Sequence, residues 1–343
     1  MLDRDRSTVG AVEFDTTTGP AQSAWLKIRH ERGLAPSVHT QERPRLSPLP
    51  SDMSDGALLE YRGLVHIERA VRQSGLSWMH AVEPLACLPD DATVVMGLVS
   101  QPTVKNRLRN LGTTARDPQA REVVATIGQR VGRWLREYQA TPWEEPPVGG
   151  RPATVGAALD KLEEFHSYLA DRGVDPGLLE SIVERATLAT SANGEPWVLV
   201  PCHGDFSPRN VLYRDPGDIW VIDPLPRWSV PPWEDLARFR LEAEVRLENR
   251  YPMALGGACA AAILRRELER GYLGDVPEPG PHAVLVEALV LLDGWSALVA
   301  RSAGSRTTAP SRKRLKNRLY WVALERVSRR WVKEGPSSGN QPS

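Results

Sequence analysis

The segment from His203 to Asp223 constrains the fold of this chain more than any other stretch. It begins with the loop sequence HGDFSPRN, which ends at Asn210, and continues with a short apolar run. A turn sequence, Asp-Pro-Gly-Asp at 215–218, leads into a second apolar run at 219–222. Two apolar runs joined by such a turn predict a β-hairpin. Because a hairpin returns its second strand beside the first, we expect Asp223 to lie next to Asn210.

Three polar side chains of this segment, Asp205, Asn210 and Asp223, suggest its chemistry. Carboxylate and amide oxygens are suitable ligands for Mg²⁺. Phosphoryl transfer needs such ligands on the nucleotide phosphates, and a further carboxylate to accept the proton of the substrate hydroxyl. A hairpin with polar ends and no activity is the alternative. The His-Gly pair in front and the Ile-Asp pair behind favour phosphoryl transfer.

The N-terminal part of the chain has the alternation typical of strands. Residues 9–30 predict a β-hairpin with its turn at 16–20, and strand-like runs follow at 85–88 and 93–99. On the second strand of the hairpin, Leu26 and Ile28 share one face. The other face carries Trp25, Lys27 and Arg29.

A helix is predicted over 57–74, after a loop rich in Pro and Ser. Its inward-facing side chains are expected to be Leu58, Tyr61, Val65, and Ala70 or Val71.

The remainder of the chain is mostly helical in pattern. The predicted helices cover 120–138, 155–188 with a break near 173–176, and most of the chain after Pro232, with a break at 276–281. Gln101-Pro102 interrupts the pattern and is the predicted boundary between two lobes. We therefore expect an N-lobe at 1–100, a helical C-lobe at 101–334 and a disordered tail at 335–343, with a cleft between the lobes.

Composition narrows the class of protein. Lys plus Arg and Asp plus Glu both number 43, so no nucleic-acid partner is expected. The charged N-terminus lacks a secretory signal, and three widely spaced cysteines suit a reducing compartment, so a cytoplasmic location is expected. The apolar run 284–300 contains Glu287 and Asp293, which predicts a buried helix instead of a membrane span.

His203-Gly204-Asp205 with Asn210 and Asp223 resembles the catalytic motif of the aminoglycoside phosphotransferase and choline kinase superfamily. These are small-molecule kinases with a protein-kinase-like fold. The resemblance runs from the Lys27 strand to the C-terminal helices. It implies an α+β, two-lobed fold with a small β-rich N-lobe and a large helical C-lobe. It also implies transfer of the γ-phosphoryl group of ATP or GTP to a small-molecule hydroxyl.

The resemblance implies a role for each motif residue. Asp205 would be the catalytic base, and His203 would brace the catalytic loop. Asn210 and Asp223 would bind Mg²⁺. Asp235, in the sequence Trp-Glu-Asp-Leu-Ala, is similar to an acid of the family that supports the catalytic loop.

The resemblance also implies a nucleotide site in the N-lobe. Lys27 would contact the α- and β-phosphates, although a solvated strand lysine is the alternative. Glu60 is the best match to its ion-pair partner, and Glu68 on the same helix competes with it. The adenine would be read by backbone groups of the segment that contains Met96, Gly97 and Leu98.

Two lengths favour a small-molecule acceptor. Only twelve residues separate Asp223 from Asp235, too few for an activation loop and a peptide-docking segment. About sixty residues, mostly helical in pattern, lie between Tyr138 and His203, and in kinases of this type such an insert helps to build the acceptor site. The acceptor could be an antibiotic such as an aminoglycoside, a sugar, an amino alcohol or another metabolite. The insert lacks a dense acidic cluster, which slightly disfavours a polycation.

The chain departs from the family pattern in two places. Pro224-Leu225 follows Asp223, where the family commonly has an aromatic residue or glycine. Only twenty-six residues precede Lys27, which suggests a truncated N-lobe, and residues 7–10 are the one stretch that could cover the phosphates. Because positioning dominates phosphoryl transfer, a degenerate kinase that binds a ligand or partner without turnover is the alternative function.

Arg209 within the catalytic loop could contact phosphate or face water. Between Arg301 and Lys333 there are eleven Lys or Arg residues and one acid, Glu325. This basic segment is either a solvated helix face or a surface for an anionic partner. Its aromatic residues, including Trp331, are expected to be core contacts.

Overall fold

In the computed structural model, the chain forms an antiparallel sheet with one packed helix, followed by a larger helical part. The structure describes residues 2–4, 7–16, 19–29, 43–46, 54–111, 117–144, 154–190, 197–226, 229–250, 257–274, 281–304 and 311–333. This arrangement is the predicted α+β class. The proposed boundary near Gln101 and the predicted tail, which lies outside the described residues, stay predictions.

The strands are β1 Leu2–Arg4, β2 Ser7–Thr16, β3 Gly19–Arg29, β4 Met79–His80, β5 Pro84–Leu88, β6 Thr93–Gly97, β7 Val200–Pro201, β8 Val211–Arg214, β9 Asp218–Val221 and β10 Ser229–Val230. The α-helices are α1 Ser54–Ser74, α2 Val104–Leu111, α3 Pro118–Ala140, α4 Val155–Ala170, α5 Pro176–Thr190, α6 Glu234–Arg250, α7 Gly257–Leu273, α8 Pro281–Gly304 and α9 Ser311–Lys333. Most predicted helices and strands are therefore confirmed.

The N-terminal sheet has five strands within the described residues, in the order β1-β2-β3-β6-β5. The predicted hairpin is β2 and β3, and Lys27 on β3 lies opposite Val9 on one side and Val94 on the other. The first strand, β1, was missed because three residues are too few to show a pattern. Residues 7–10 belong to β2, so they do not form the phosphate-covering loop that the sequence suggested.

Helix α1 packs against this sheet, and its buried side chains differ in part from those predicted. Of the predicted inward residues, Ala70 is buried, whereas Leu58, Tyr61 and Val65 are half-buried. The buried Ala57 and Leu64 lie in one cluster with residues of β6, and Tyr61 packs against that cluster, whereas Ile67 and Ala70 lie in the core of the helical part. The helix therefore contacts two clusters, which periodicity of hydropathy alone does not separate.

Helices α3 and α7 pack so closely that glycines are needed at their contact. A Cβ added at Gly132 would lie 2.1 Å from the carbonyl oxygen of Leu268, and one at Gly271 would lie 2.0 Å from that of Gln129. Close backbone approach of this kind excludes any larger residue. The contact places Trp134 and Tyr138 of α3, both 0% exposed, in the core beneath the catalytic loop.

Helix α8 lies in the core of the helical part. Of the helices that the structure describes, it is the one long and apolar enough to cross a membrane, over His282–Ala303, but 78% of its most apolar window is buried inside the protein. Its Asp293 pairs with Arg43 and Arg238. The prediction of a buried helix is confirmed. Trp331 of the packed helix α9 is 6% exposed, so this predicted core contact is also confirmed.

Candidate active site

Aromatic side chains of the core pack against the catalytic loop, residues 203–210. His203 and Phe206 are 0% and 1% exposed. The Phe206 ring stacks near Trp134, with centroids 5.7 Å apart, and near Phe239 at 5.3 Å. Asp205 lies between the two buried residues, and its side chain remains 37% exposed. Burial of its neighbours therefore presents the carboxylate of Asp205 to the surface at a fixed place.

Gly204 allows the loop to meet the segment after β9. Its φ is +82°, and an added Cβ would lie 2.1 Å from the carbonyl oxygen of Leu225. The Leu225 N–H donates to the carbonyl oxygen of His203 at 2.7 Å. Both the left-handed conformation and the close approach require glycine here. The loop and the segment that carries Asp223 are thus joined directly.

Asp235 at the start of α6 fixes the backbone of the loop, where the sequence placed a supporting acid. Its Oδ2 accepts the backbone N–H of His203 at 2.7 Å. Burial raises the pKa of this carboxyl to about 6, although the backbone N–H groups of His203 and Gly204 and the nearby Arg238 oppose the shift.

The His203 ring is neutral at pH 7 because burial lowers its pKa to about 4. Its Nδ1 accepts the N–H of Asp205 at 3.4 Å, which is a long contact. The hydroxyl of Tyr138 donates to the carbonyl oxygen of Cys202 at 3.0 Å, just before the loop. Cys202 is 1% exposed, as expected for a core residue. His203 therefore lies where a bracing residue would lie.

The Asp205 carboxylate has two partners within its own loop. Arg209 Nη2 lies 2.7 Å from Oδ1 and 2.8 Å from Oδ2. Asn210 Nδ2 donates to Oδ2 and to the Asp205 carbonyl oxygen, both at 2.9 Å. Loss of hydration raises the pKa of Asp205 above its ordinary value, although Arg209 and Asn210 pull in the other direction. A carboxylate with a raised pKa is better suited to accept a proton.

Asn210 and Asp223 are brought together by the β8–β9 hairpin, as the sequence predicted. The Ile222 N–H donates to the carbonyl oxygen of Asn210 at 2.9 Å, and Val211 lies opposite Val221. Asp223 follows Ile222 and adopts a left-handed φ of +59°. Non-glycine residues seldom adopt this conformation, and such residues concentrate at functional sites.

The donor set around Asp223 suits one kind of cation. Among the described residues, no group of three or more His, Cys, Asp and Glu side chains could hold a metal ion. Mg²⁺ does not need such a group, because it keeps several waters and takes further ligands from substrate phosphates. The Asn210 amide uses its nitrogen on Asp205, so its oxygen is the atom that would face a cation. One carboxylate and one amide oxygen therefore fit Mg²⁺ bound together with a nucleotide.

Lys27 joins the sheet to this site. Its Nζ lies 2.8 Å from Glu60 Oε1 and 2.9 Å from Asp223 Oδ1, and the residue is 6% exposed. Burial lowers its pKa, but the charges of Asp223 and Glu60 outweigh this effect and raise the pKa above its ordinary value. Lys27 is therefore charged, and the solvated-lysine alternative is wrong.

The structure also separates Glu60 from Glu68. Glu60 is 0% exposed and pairs with Lys27, whereas Glu68 pairs with Arg72 on the helix surface. Glu60 further accepts from Arg29, through Nε at 3.2 Å and through Nη2. This role of Arg29 was not predicted from the sequence. Its position on the same strand face as Lys27, two residues along, was the available signal.

The segment predicted to read adenine lies at the end of β6. Met96 is 5% exposed, and Leu98 just beyond the strand is 40% exposed. The Gly97 N–H donates to the carbonyl oxygen of Glu83 at 2.8 Å. That group is therefore not available to a base, and any reading of adenine would use other backbone groups of this segment.

Pro224, the departure from the family pattern after Asp223, contacts helix α1. A Cβ added at Gly63 would lie 2.7 Å from the Cβ of Pro224. The proline therefore fits against a glycine on the helix that carries Glu60. This contact joins the helix that carries Glu60 to the segment that carries Asp223, the two acids that pair with Lys27.

The comparisons with known proteins agree with this geometry. The sequence model of the phosphotransferase enzyme family matches residues 62–279. No curated protein matches the chain. Its fold is similar to that of a choline/ethanolamine kinase family protein from Mesorhizobium loti, with a TM-score of 0.54 and 15% identity over 94% of this chain and 88% of that one.

Two further solved structures are similar to this fold. Glucosamine kinase in complex with glucosamine, ADP and inorganic phosphate has a TM-score of 0.56 and 14% identity, over 96% of this chain and 83% of that one. A thermostable mutant of an aminoglycoside phosphotransferase, in ternary complex with ADP and hygromycin B, has a TM-score of 0.52 and 12% identity, over 98% and 93%. At such identities the likeness is one of fold.

Proposed function

The chain belongs to the phosphotransferase enzyme family, and we propose that it transfers the γ-phosphoryl group of ATP or GTP to a hydroxyl group of a small molecule. One observation supports this proposal above all. The carboxylate of Asp205 lies beside Asn210, and Asn210 is joined through the hairpin to Asp223, which pairs with Lys27. A proton acceptor, an oxygen pair for Mg²⁺ and a phosphate-binding cation therefore lie at one place.

In the proposed reaction the acceptor hydroxyl oxygen forms a bond to the γ-phosphorus. The bond from that phosphorus to the bridging oxygen breaks, and its electron pair stays on the nucleoside diphosphate. The hydroxyl proton passes to the carboxylate of Asp205, whose raised pKa favours this transfer. Bound Mg²⁺ would neutralise charge on the β- and γ-phosphates.

The remaining residues position the reactants. Lys27 would bind phosphate oxygens of the nucleotide, and Glu60 holds the ammonium group at 2.8 Å. Asp235 and His203 keep the catalytic loop in place. Positioning of this kind accounts for much of the rate of phosphoryl transfer, since there is little covalent chemistry for the protein to perform.

The alternative of a non-catalytic protein depended on a reduced phosphate-covering loop, and residues 7–10 lie in β2 instead of forming such a loop. The active enzyme is favoured by the grouping of Asp205, Asn210, Asp223 and Lys27. Relatives of known structure bind glucosamine or hygromycin B, and we propose that the acceptor here is likewise a hydroxylated small molecule.

Replacing Asp205 tests this function. Asp205→Asn should lower kcat by about 10²- to 10⁴-fold, because the amide cannot accept the proton. Its affinity for Mg²⁺-ATP should stay close to that of the wild type. The measurement is ADP release with a panel of hydroxylated metabolites, and nucleotide binding by calorimetry. Asp215→Asn on the same hairpin, with a side chain 57% exposed, is the control. Turnover of Asp205→Asn at the wild-type rate would show that the assignment is wrong.

A second measurement tests the nucleotide site independently of the acceptor. Mg²⁺-ATP should raise the melting temperature of the wild type, because a ligand that binds only the folded state stabilises it. Asp223→Ala should remove the Mg²⁺-dependent part of this increase. An unchanged increase in the variant would exclude a metal-binding role for Asp223.

A further inference from the structure

Arg209 is the catalytic-loop residue whose role the motif leaves open. Its side chain is 50% exposed. Both of its contacts with Asp205 use one nitrogen, Nη2. A guanidinium group has five N–H donors, so its remaining N–H groups can bind a second anion.

The contact with Arg209 conflicts with the proposed work of Asp205. Both carboxylate oxygens of Asp205 lie within 2.8 Å of Arg209 Nη2, and Oδ2 also accepts from Asn210. An acceptor hydroxyl must reach one of these oxygens, where it competes with Arg209. The other carboxylates that act on Arg209, Glu242 and Asp223, already pair with Arg246 and Lys27. An anionic group on the acceptor is therefore the partner to which Arg209 can shift.

The surroundings of Arg209 supply further cations. Arg246 pairs with Glu242 along α6, and the Arg301 guanidinium lies 5.8 Å from the centre of the Tyr320 ring. Burial and the charge of Glu242 raise the pKa of the Tyr320 hydroxyl, and the charges of Arg301, Arg246 and Arg209 oppose this shift. Three guanidinium groups therefore act on the same hydroxyl.

Four carboxylates of α6 pair with arginines. Glu234 pairs with Arg238, and Glu242 pairs with Arg246. Glu244 and Glu248 both pair with Arg330 of α9. A cationic acceptor would have to break one of these pairs to find a partner. An anionic acceptor meets guanidinium groups directly.

We propose that the acceptor of this site carries an acidic group, a carboxylate or a phosphate, and that this group takes Arg209 from Asp205 when the acceptor binds. The proposal rests on the proposed function. Exchange of partners frees the Asp205 carboxylate at the moment when a hydroxyl of the same molecule arrives beside it. Without an acceptor, Arg209 covers the carboxylate and limits transfer to water. Arg209 is thus both a specificity-determining residue and a gate on the base.

Pairs of acceptors that differ in charge test this proposal. The probes are glycerate with glycerol, gluconate with glucose, and glucosamine as a cationic hydroxyl compound. For the wild type, ADP release should be at least about tenfold faster with an acid than with its neutral partner, as expected for one charge-assisted hydrogen bond. Arg209→Gln should lose this preference. Arg329→Gln, also in an i,i+4 ion pair and 49% exposed, should keep it.

A binding measurement covers the case in which no probe is an acceptor. Malonate and sulfate should raise the melting temperature of the Mg²⁺-AMP-PNP complex of the wild type and of Arg329→Gln, but not of Arg209→Gln. An Arg209-dependent response to anions, in either measurement, supports the proposal. Preference for glycerol, glucose or glucosamine overturns it, and so does the absence of any Arg209-dependent response in both measurements.

The two proposals fail in different ways. Phosphorylation of the neutral or cationic probes would overturn the anionic class of acceptor and leave the kinase function intact. Loss of the proposed function itself would appear as the absence of any stabilisation by Mg²⁺-ATP. Circular dichroism of Arg209→Gln checks that the variant is folded before either comparison is made.

Discussion

The carboxylates at the catalytic loop, Asp205 and its supporting acid Asp235, and the carboxylates of the helical core have pKa values shifted in opposite directions. The pKa of Asp205 is raised, and that of Asp235 is raised to about 6. In the helical core the pKa values of Glu287 and Asp293 are lowered, although both groups are deeply buried. Burial raises the pKa of all four groups, so nearby charges and hydrogen bonds must decide the direction of the net shift.

The number of cationic and N–H partners explains why the pKa shifts of the two groups differ in direction. Asp293 accepts from Arg43 at 2.9 Å and from Arg238 at 3.2 Å. By contrast, Asp235 accepts the backbone N–H of His203 at 2.7 Å, and the charge of Arg238 lowers its pKa less than burial raises it. Where arginines surround an acid, their charges outweigh lost hydration. The core acids are thus fixed as anions, whereas the acids of the loop are held nearer to protonation.

Glu287 is a core acid with several cationic and N–H partners. It pairs with Arg240 at 2.6 Å and accepts from the indole N–H groups of Trp233 and Trp331 at 2.8 and 2.7 Å. Glu269 shares Arg240 with it at 2.9 Å and has a raised pKa, because burial and the charge of Glu287 together exceed the effect of Arg240 and Arg265. Glu269 is therefore less fully compensated than Glu287.

The largest expected effect follows from removing Arg240. Arg240→Met should lower the free energy of unfolding by about 3–5 kcal/mol, since it leaves buried carboxylates without their cation. The measurement is urea denaturation near neutral pH. Arg329→Met, on an exposed ion pair, should change stability by about 1 kcal/mol or less.

The Arg240→Met variant also tests whether the acids of the helical core are structural, in contrast to the acids at the catalytic loop. Molecules of Arg240→Met that remain folded should keep their ADP-release activity. A stable Arg240→Met variant would show that the core acids do not depend on arginine, and the contrast with the catalytic loop would then have another cause.

The next effect concerns pH and Asp235. Because its pKa rises from 3.8 to about 6 on folding, the folded state binds the proton more tightly than the unfolded state in this interval. Its contribution to stability is therefore full below the unfolded value and is lost as the pH rises through about 6. Two pKa units correspond to about 3 kcal/mol.

Asp235→Asn removes this titration while keeping an oxygen that can accept the His203 N–H. The free energy of unfolding of Asp235→Asn, relative to the wild type, should increase by about 3 kcal/mol between about pH 4 and pH 7. Urea denaturation of both proteins across this range is the measurement. A difference that stays constant with pH would mean that Asp235 is not held near protonation.

The sequence predicted local geometry better than tertiary contacts. The proximity of Asn210 and Asp223 could be predicted because a short hairpin fixes its own register. The hairpin at 9–30 and the helices of the second half were predicted for a similar reason, since each follows from periodicity within one element. These features depend on neighbours in the chain, which the sequence shows directly.

What the sequence could not provide was the choice among equivalent side chains. Glu60 and Glu68 lie on one helix, and only the packing of α1 on the sheet decides which of them meets Lys27. The inward face of that helix was misjudged for the same reason. The contact of Arg209 with Asp205 depends on how an irregular loop folds over itself, for which no periodic pattern exists.

Glu60 gives the smallest effect and the sharpest test of the contrast. It is a buried acid with two cationic partners, Lys27 and Arg29, like the acids of the core, yet it lies in the proposed nucleotide site. If the number of cationic partners decides the role of an acid, Glu60 is an anchor that positions Lys27. Glu60→Gln should then lower kcat/KM for ATP by about 10- to 100-fold, or about 1.4–2.7 kcal/mol, because Lys27 is drawn toward Asp223.

The matched control for this test lies on the same helix. Glu68→Gln removes a carboxylate from the exposed pair with Arg72 and should leave kcat/KM within about twofold of the wild type. Both variants should keep the pH dependence of the wild type, because the proposed proton acceptor, Asp205, is unchanged in both. If Glu60→Gln instead shifts the pH profile of kcat, then Glu60 belongs with the proton-handling acids of the loop, and counting cationic partners is not enough to separate the two classes.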